Sequence, residues 1–299
     1  TLFGAMPPKG QEMSDQYFGD IREKVKKFMS DVDEQLWKLG ITAKTQHNEV
    51  APCQHEIAPI FSVSNVALDN NYLVMNVLKK TAKKYGLVCL LHEKPFDGIN
   101  GSGKHNNWSL TTDDGINLFK PGKEPENNKV FQLVLACLMS AVDKHAVLLR
   151  TAASNTGNDH RLGANEAPPA IISIYLGDQV GDVVDQIIKT GKATSSLHSG
   201  VIDFGINKLP VLEKDPTDRN RTSPFAFTGN RFEFRMVASS NSIGDTNTVL
   251  SAMMAEAFAD AIDALTGAED LDKAVEEYTV KLMREHERII FNGNGYSAE

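Results

Sequence analysis

The chain has little cysteine, no excess of basic residues and no long apolar run without charge. Its three cysteines, Cys53, Cys89 and Cys137, lack the spacing of a disulfide framework or a zinc site, which is typical of proteins in a reducing compartment. A net charge of -8 argues against nonspecific nucleic-acid binding, which needs a basic face. We therefore expect a cytoplasmic protein with no nucleic-acid partner, whose acidic clusters favour cations.

The most apolar stretch, residues 130–149, contains Asp143, Lys144 and His145. It therefore predicts a buried helix and no membrane span. The 299 residues are 41% hydrophobic, enough for one large domain or two ordinary ones. No repeat, low-complexity tract or long linker marks a domain boundary.

A glycine-rich loop at residues 98–104 satisfies the phosphate-loop pattern G-x-x-x-x-G-K but ends differently. His105 follows Lys104, where a phosphate loop has the serine or threonine that ligates Mg²⁺. A phosphate loop also needs a helix to begin at the lysine, and residues 106–112 are typical of a strand instead. We therefore reject the nucleotide-triphosphatase interpretation. The segment is instead a glycine-rich loop that is followed by a candidate functional histidine.

Hydrophobic periodicity predicts an α+β protein. Steps of three and four predict helices over 21–39, 71–85, 129–150, 180–189, 246–265 and 271–290. Strand patterns cover 41–50, 54–61, 87–92, 106–112, 171–176 and 232–238. Short turns between neighbouring strands favour antiparallel pairing, since parallel strands need long crossovers. The mixed order of helices and strands indicates the α+β class.

Glu49 and Glu56 flank a short turn that contains Pro52 and Cys53. A turn centred between Pro52 and Cys53 places the two carboxylates directly opposite each other, where like charges are destabilising. A divalent cation between them would remove the repulsion, and Mg²⁺ and Mn²⁺ both accept carboxylate ligands. The alternative is two surface glutamates on an exposed hairpin.

The strand at 231–235 alternates charged and aromatic side chains. A period of two puts Arg231, Glu233 and Arg235 on one face and the phenylalanines on the other. Glu233 could ligate a metal while the arginines hold anionic oxygens. An ordinary half-buried strand with a self-neutralising outer face fits the same pattern.

Two loops add further charged candidates. Arg219 and Arg221 lie in a proline-bounded loop suited either to phosphate binding or to plain solvation. Arg161 and Glu166 lie in a loop whose glycine and paired prolines indicate a defined shape. A lone histidine is more often structural than a ligand, but His105 follows glycines that let backbone approach a substrate closely, which favours a functional role.

The order of these five segments resembles the catalytic domain of glutamine synthetase. The sequence EKPFDGINGSGKHNNWS at 93–109, with DHRLGANEAPP at 159–169 and NRTSPFAFTGN at 220–230, is similar to the type III bacterial branch. The resemblance covers nearly the whole chain. It implies one catalytic domain over 1–299, with a curved antiparallel sheet packed against helices.

The resemblance also implies the reaction and its participants. ATP-dependent ligation of ammonia to L-glutamate, through γ-glutamyl phosphate, would give glutamine for nitrogen assimilation. Two or more Mg²⁺ or Mn²⁺ ions would serve each site, and the subunits would form a ring-shaped homo-oligomer. Glu49 and Glu56 match ligands of the metal beside glutamate, while His105 and Glu233 match ligands of the metal beside the ATP phosphates.

Other family positions match residues that contact the substrates or act in catalysis. The glutamate-binding positions correspond to Asn100, Gly101, Arg161 and Arg235. The nucleotide-side positions correspond to Ser109, Arg221 and Arg231. Glu166 corresponds to the flap residue that closes the site and helps to deprotonate ammonium. Glu166, Arg161 and Arg235 are the candidate catalytic residues.

Two family features have no counterpart within this sequence. The family contributes a Glu-x-Glu metal-binding strand and an amino-terminal small domain upstream of the matched region. We therefore expect this chain alone to bind metal weakly, with little or no turnover. The alternatives are a related ligase that joins glutamate to another amine, and a catalytically silent scaffold.

Overall fold

The computed structural model describes residues 6, 17–162, 167–197, 201–202, 212–213 and 222–297. The chain divides into two compact units. The first comprises residues 1–104, 152–167 and 236–248, and the second comprises residues 105–151, 168–235 and 249–299. The assignment of 1–299 to one catalytic domain stays a prediction.

The helices and strands are interspersed along the chain. In chain order they are α1 (Glu23–Lys38), β1 (Ala43–Asn48), β2 (His55–Pro59), α2 (Ser64–Lys84), β3 (Lys104–Trp108), α3 (Lys129–Ala152), α4 (Thr156–Arg161), β4 (Ile174–Tyr175), α5 (Gly177–Thr190), β5 (Val201–Ile202), β6 (Leu212–Glu213), β7 (Phe225–Phe227), β8 (Phe232–Val237), α6 (Gly244–Leu265) and α7 (Leu271–Glu285).

The first unit packs α1 against α2 and the β1–β2 hairpin. Apolar side chains of α1 at helical spacing, including Val32 and Leu36, meet Val74 of α2 in a shared core. Gly40, at a φ of 78°, ends α1 as the sequence predicts, because glycine adopts the left-handed conformation without strain. Helix α2 begins seven residues before the predicted 71, and its first residue, Ser64, accepts a hydrogen bond from Asn247.

The second unit contains most of a four-stranded sheet in the order β3-β8-β7-β4. β7 runs antiparallel to β8, whereas β4 runs parallel to β7. The α+β class is confirmed, but the sheet is mixed and not wholly antiparallel. The connection from β4 to β7 contains α5, and a crossover of that length permits parallel pairing.

Aromatic side chains fill the interior beside this sheet. Phe225 and Phe232 stack with ring centroids 5.1 Å apart, and Phe131 of α3 lies 6.1 Å from Phe227 of β7. Among the described residues, α3 alone is long and apolar enough to cross a membrane, and 56% of its most apolar window is buried inside the fold. Leu138 and Met139 on this helix are fully buried, as the sequence predicts for a core helix.

Two strand predictions need correction. Residues 87–92 form no strand, although Val88 and Leu90 are exposed and alternate with the partly buried Leu87 and Cys89. The alternation is present, yet no described strand pairs with the segment, and pairing is what defines a strand. β3 begins at Lys104, two residues before the predicted start, and ends at Trp108.

Candidate functional site

The β1–β2 hairpin has a different register from the predicted one. Glu56 lies opposite His47, not opposite Glu49, while Glu49 donates its backbone N–H to Gln54 at 2.9 Å. The register is therefore displaced by two residues from the predicted pairing. A displacement of two leaves every side chain on its original face, because the period of a strand is two. Glu49 and Glu56 remain on one face as diagonal neighbours.

The turn itself explains the displacement. Gln54 donates its backbone N–H to the carbonyl of Ala51 at 3.1 Å, so Pro52 and Cys53 are the central residues of a tight turn. Cys53 has a φ of 59°, the positive value that the third position of a type II turn requires. Val50 and Ala51 lie between the last paired residues of β1 and the centre of the turn. They lengthen the first half of the loop and so displace the register.

His47 occupies the position between the two carboxylates. Its Nε2 lies 3.1 Å from Oε1 of Glu49 and 3.1 Å from Oε2 of Glu56. One ligand atom from each of the three residues lies within 4.8 Å of the others, and all three are half-buried. Two carboxylates and an imidazole form a donor set that suits Mn²⁺, with the carboxylates also suited to Mg²⁺.

The sequence interpretation missed His47 as a member of this cluster. The signal was present, because His47 precedes Glu49 by two residues and so shares its face of the strand. An imidazole beside two acidic groups reduces their repulsion when it is protonated, and it offers a third ligand when it is neutral. The cluster formed by His47, Glu49 and Glu56 is the candidate metal site of the first unit.

Gln54 joins this hairpin to the glycine-rich loop. Its side-chain amide donates to the carbonyl of Ser102 at 2.9 Å and accepts from the N–H of Ser102 at 3.2 Å. These reciprocal hydrogen bonds hold Asn100 and Gly101 close to the hairpin. The hairpin that carries Glu49 and Glu56 is therefore hydrogen-bonded to the residue that directly follows the predicted glutamate-binding pair Asn100 and Gly101.

In the second unit, His105, Glu233 and Arg235 come together on β3 and β8. Nδ1 of His105 lies 3.5 Å from Oε1 of Glu233, and Nη1 of Arg235 donates to Oε2 of Glu233 at 3.1 Å. Glu233 is 1% exposed and Arg235 is 4% exposed. The charged face of β8 is therefore buried, unlike the outer face of an ordinary half-buried strand, and buried charges are kept only when they are paired or ligate a metal.

For the other predicted site residues, the structure gives at most their exposure and their place within or beside a helix or strand. Ser109 is exposed directly after β3, and Arg231 is exposed directly before β8. Arg161 is the last residue of α4, while Glu166 and Arg221 lie outside the described residues. Their roles stay predictions.

The lysine of the glycine-rich loop forms hydrogen bonds with other residues of the protein. Lys104 begins β3, and its Nζ donates to the carbonyl of Asn241 at 2.6 Å and to Oδ1 of Asn71 at 3.1 Å. Burial lowers its pKa to about 8, against an opposing effect of Glu93. A strand and not a helix follows the loop, so the rejection of the phosphate-loop interpretation is confirmed.

Comparison with known proteins assigns the family. The family model described as glutamine synthetase, catalytic domain, matches residues 6–173. That match covers more than half of the chain, and the chain belongs to the glutamine synthetase catalytic-domain family.

The similar proteins agree with this assignment. The chain is 49% identical over 302 residues to the Type-3 glutamine synthetase of Dictyostelium discoideum, a match that covers 100% of this chain and 41% of the relative. It is also 49% identical over 302 residues to a glutamine synthetase of Butyrivibrio fibrisolvens, covering 100% of this chain and 43% of that protein. The resemblance to the type III branch is confirmed. The chain spans about two fifths of the length of these relatives.

A solved structure shares the fold. The cryo-electron microscopy structure of Plasmodium falciparum glutamine synthetase aligns with a TM-score of 0.56 at 18% identity, covering 82% of this chain and 39% of that one.

Proposed function

We propose that this chain supplies part of the active site of a glutamate–ammonia ligase. The reaction joins ammonia to L-glutamate through γ-glutamyl phosphate and converts ATP to ADP and phosphate. The observation that carries the proposal is the His47–Glu49–Glu56 cluster, held against the Asn100–Gly101 loop by Gln54 in a chain of this family.

Phosphoryl transfer to a carboxylate brings two anions together, so its catalysis consists largely of positioning and cationic stabilisation. Bound Mg²⁺ or Mn²⁺ would supply part of that positive charge. Glu49 and Glu56, with His47, would hold one ion on the glutamate side. His105 and Glu233 would hold a second ion on the ATP side, and Arg235 already orients Glu233.

The remaining residues take the roles of the family positions that they match. Asn100, Gly101 and Arg161, with Arg235, bind glutamate. Ser109, Arg221 and Arg231 contact the nucleotide. Glu166 closes over the acyl phosphate, which must be shielded from water until ammonia attacks. A cytoplasmic, ring-shaped homo-oligomer belongs to the same proposal.

The test measures Mn²⁺-dependent γ-glutamyl hydroxamate formation by the protein that carries this chain. We expect Glu56→Ala and Glu233→Ala to abolish it, because each removes a ligand, while Glu34→Ala on the exposed face of α1 leaves it unchanged. Activity retained in both ligand variants would refute the metal assignment. Inactivity of the unsubstituted protein would favour a silent scaffold.

Calorimetric titration with Mn²⁺ tests the expectation for this chain alone. We expect weak uptake, since the cluster of the first unit offers three ligand atoms and Mn²⁺ prefers about six. Tight stoichiometric uptake would show that the sites are more complete than we propose.

A further inference from the structure

The first unit contains an internal polar cluster made of Glu93, Lys104, Asn155, Asn158 and Asn241. Its members come from three separate segments of the chain, residues 92–104, 153–161 and 236–241. None of these side chains is among the proposed metal ligands. Their hydrogen bonds nevertheless join the three segments at close range.

Glu93 joins the first segment to the third. Its buried carboxylate accepts a hydrogen bond from the backbone N–H of Ser239. The same carboxylate packs against the second segment, because a Cβ on Gly157 would lie 3.4 Å from its Oε2. A buried carboxylate is costly without a positive partner, and among the described residues Lys104 is the cation shown to act on it.

Lys104 binds the third segment from the other side. Its ammonium donates to the carbonyl of Asn241 at 2.6 Å and to Oδ1 of Asn71 at 3.1 Å, with the sulfur of Met75 at 3.5 Å. The first segment is therefore fastened to residues 236–241 at both of its ends, through Glu93 and Lys104.

The asparagines complete the connection to α4. Nδ2 of Asn155 donates to Oδ1 of Asn241 at 3.0 Å, and Oδ1 of Asn155 caps α4 by accepting from the N–H of Asn158 at 2.8 Å. The fully buried Asn158 donates to the carbonyl of Met236 at 2.6 Å. Helix α4 is thus anchored to the same segment as Glu93 and Lys104.

Two of these segments carry predicted glutamate-binding residues. Asn100 and Gly101 lie between Glu93 and Lys104, and a Cβ on Gly101 would lie 2.3 Å from the carbonyl oxygen of Glu93. The loop therefore rests directly on the backbone of Glu93. Arg161 is the last residue of α4, the helix that Asn155 caps.

We propose that Glu93 and Lys104 are positioning residues that fix the Asn100–Gly101 loop relative to α4, and so set the affinity for glutamate. The inference rests on the proposed function. Buried or half-buried charges are a poor source of stability, since apolar side chains of similar size often serve as well or better. What Glu93 and Lys104 provide is defined geometry, because Glu93 accepts from the backbone N–H of Ser239 and Lys104 donates to the backbone carbonyl of Asn241.

The kinetic test compares Lys104→Met, Lys104→Arg and the control Lys80→Met in the protein that carries this chain. Methionine keeps the length and apolar stem but donates no hydrogen bond, whereas arginine keeps the charge and the donors. Lys80 is exposed on α2 and undergoes the same chemical change. We expect Lys104→Met to raise the KM for glutamate about tenfold, the scale of one charge-assisted hydrogen bond. The KM for ATP should stay unchanged, and Lys104→Arg should recover most of the loss.

An unchanged KM for glutamate in folded Lys104→Met would overturn the proposal, as would an equal rise in both KM values. Backbone hydrogen exchange provides a readout that is independent of activity. We expect faster exchange across 92–104, 153–161 and 236–241 in both Lys104→Met and Glu93→Gln, with no change in Lys80→Met. Unchanged exchange in these segments would also overturn it. If the unsubstituted protein forms no γ-glutamyl hydroxamate, the proposed function fails, and hydrogen exchange still decides whether these two residues hold the segments together.

Discussion

Replacing Asp143 should weaken the anchor between α3 and the end of α7. Its Oδ2 accepts from Nδ1 of His286 at 2.8 Å, and its Oδ1 accepts from Nε of Arg288 at 2.9 Å. The Asp143 side chain is 9% exposed, whereas that of Arg288 is 78% exposed. Helix α7 ends at Glu285, before the predicted 290, and the two partners of Asp143 lie just beyond that end.

The magnitude follows from this difference in exposure. A hydrogen bond to a charged group contributes about 1.5 to 3 kcal/mol to stability. The bond from His286, which is largely buried, should fall in that range. The bond from Arg288 counts for less, about 0 to 1 kcal/mol, because water screens an exposed guanidinium. We therefore expect Asp143→Ala to lower the free energy of unfolding by about 2 to 3 kcal/mol.

Thermal and denaturant unfolding of matched variants measures the effect. For a unit of about 150 to 250 residues, each kcal/mol shifts Tm by about 2 to 4 °C. The control is Asp260→Ala, which removes a 49% exposed carboxylate paired with Lys144 at 3.1 Å and should cost less than about 1 kcal/mol. Equal losses in the two variants would refute the reasoning.

The same contact predicts a pH dependence. Burial alone would raise the pKa of Asp143, but the hydrogen bonds from His286 and Arg288 outweigh it and hold the pKa below its ordinary 3.8. A lowered pKa means that the stabilisation is fully present above pH 3.8 and is lost as the pH falls through the folded-state value. The stability difference between wild type and Asp143→Asn should be constant from about pH 5 to 7 and should shrink in stronger acid. A difference that persists there would contradict the assignment.

Three further predictions concern single contacts. Gly101→Ala forces a Cβ against the carbonyl of Glu93, so we expect a loss of about 1 to 3 kcal/mol in unfolding free energy and weaker saturation by glutamate, measured by denaturation and steady-state kinetics. Gln54→Leu removes both hydrogen bonds to Ser102 and should raise the KM for glutamate several-fold with little change in Tm; an unchanged KM would count against the hairpin–loop connection. Burial raises the pKa of Cys137 to about 11, so its alkylation at pH 8, followed by mass spectrometry, should require unfolding.

Much of the helical framework could be predicted from local pattern. The helices α1, α3, α6 and α7 begin close to their predicted residues, because long amphipathic or apolar segments carry many turns of consistent periodicity. The short helix α4 and the strands β5, β6 and β7 were not predicted. A strand of two or three residues shows barely one alternation and a helix of six residues completes fewer than two turns, so neighbouring segments decide their conformation.

The candidate site could likewise be predicted only in part from the sequence. The two-residue period of β1 and β2 predicted that Glu49 and Glu56 lie on the same face of the hairpin. They do so in the structure as well, because the register is displaced by two residues. The strand pattern likewise separated Glu233 and Arg235 from the phenylalanines of β8. Neither pattern revealed that the charged face of β8 is buried, since burial depends on what other segments cover.

By itself, the sequence determined the family, the residue types of the site and the face on which each strand residue lies, because motifs and periodicity are local properties of the chain. Only the tertiary structure decided that His47 stands between Glu49 and Glu56, and that Lys104 bonds to Asn241 instead of to a phosphate. Those outcomes depend on turn geometry and on contacts between residues far apart in sequence, which no local pattern encodes.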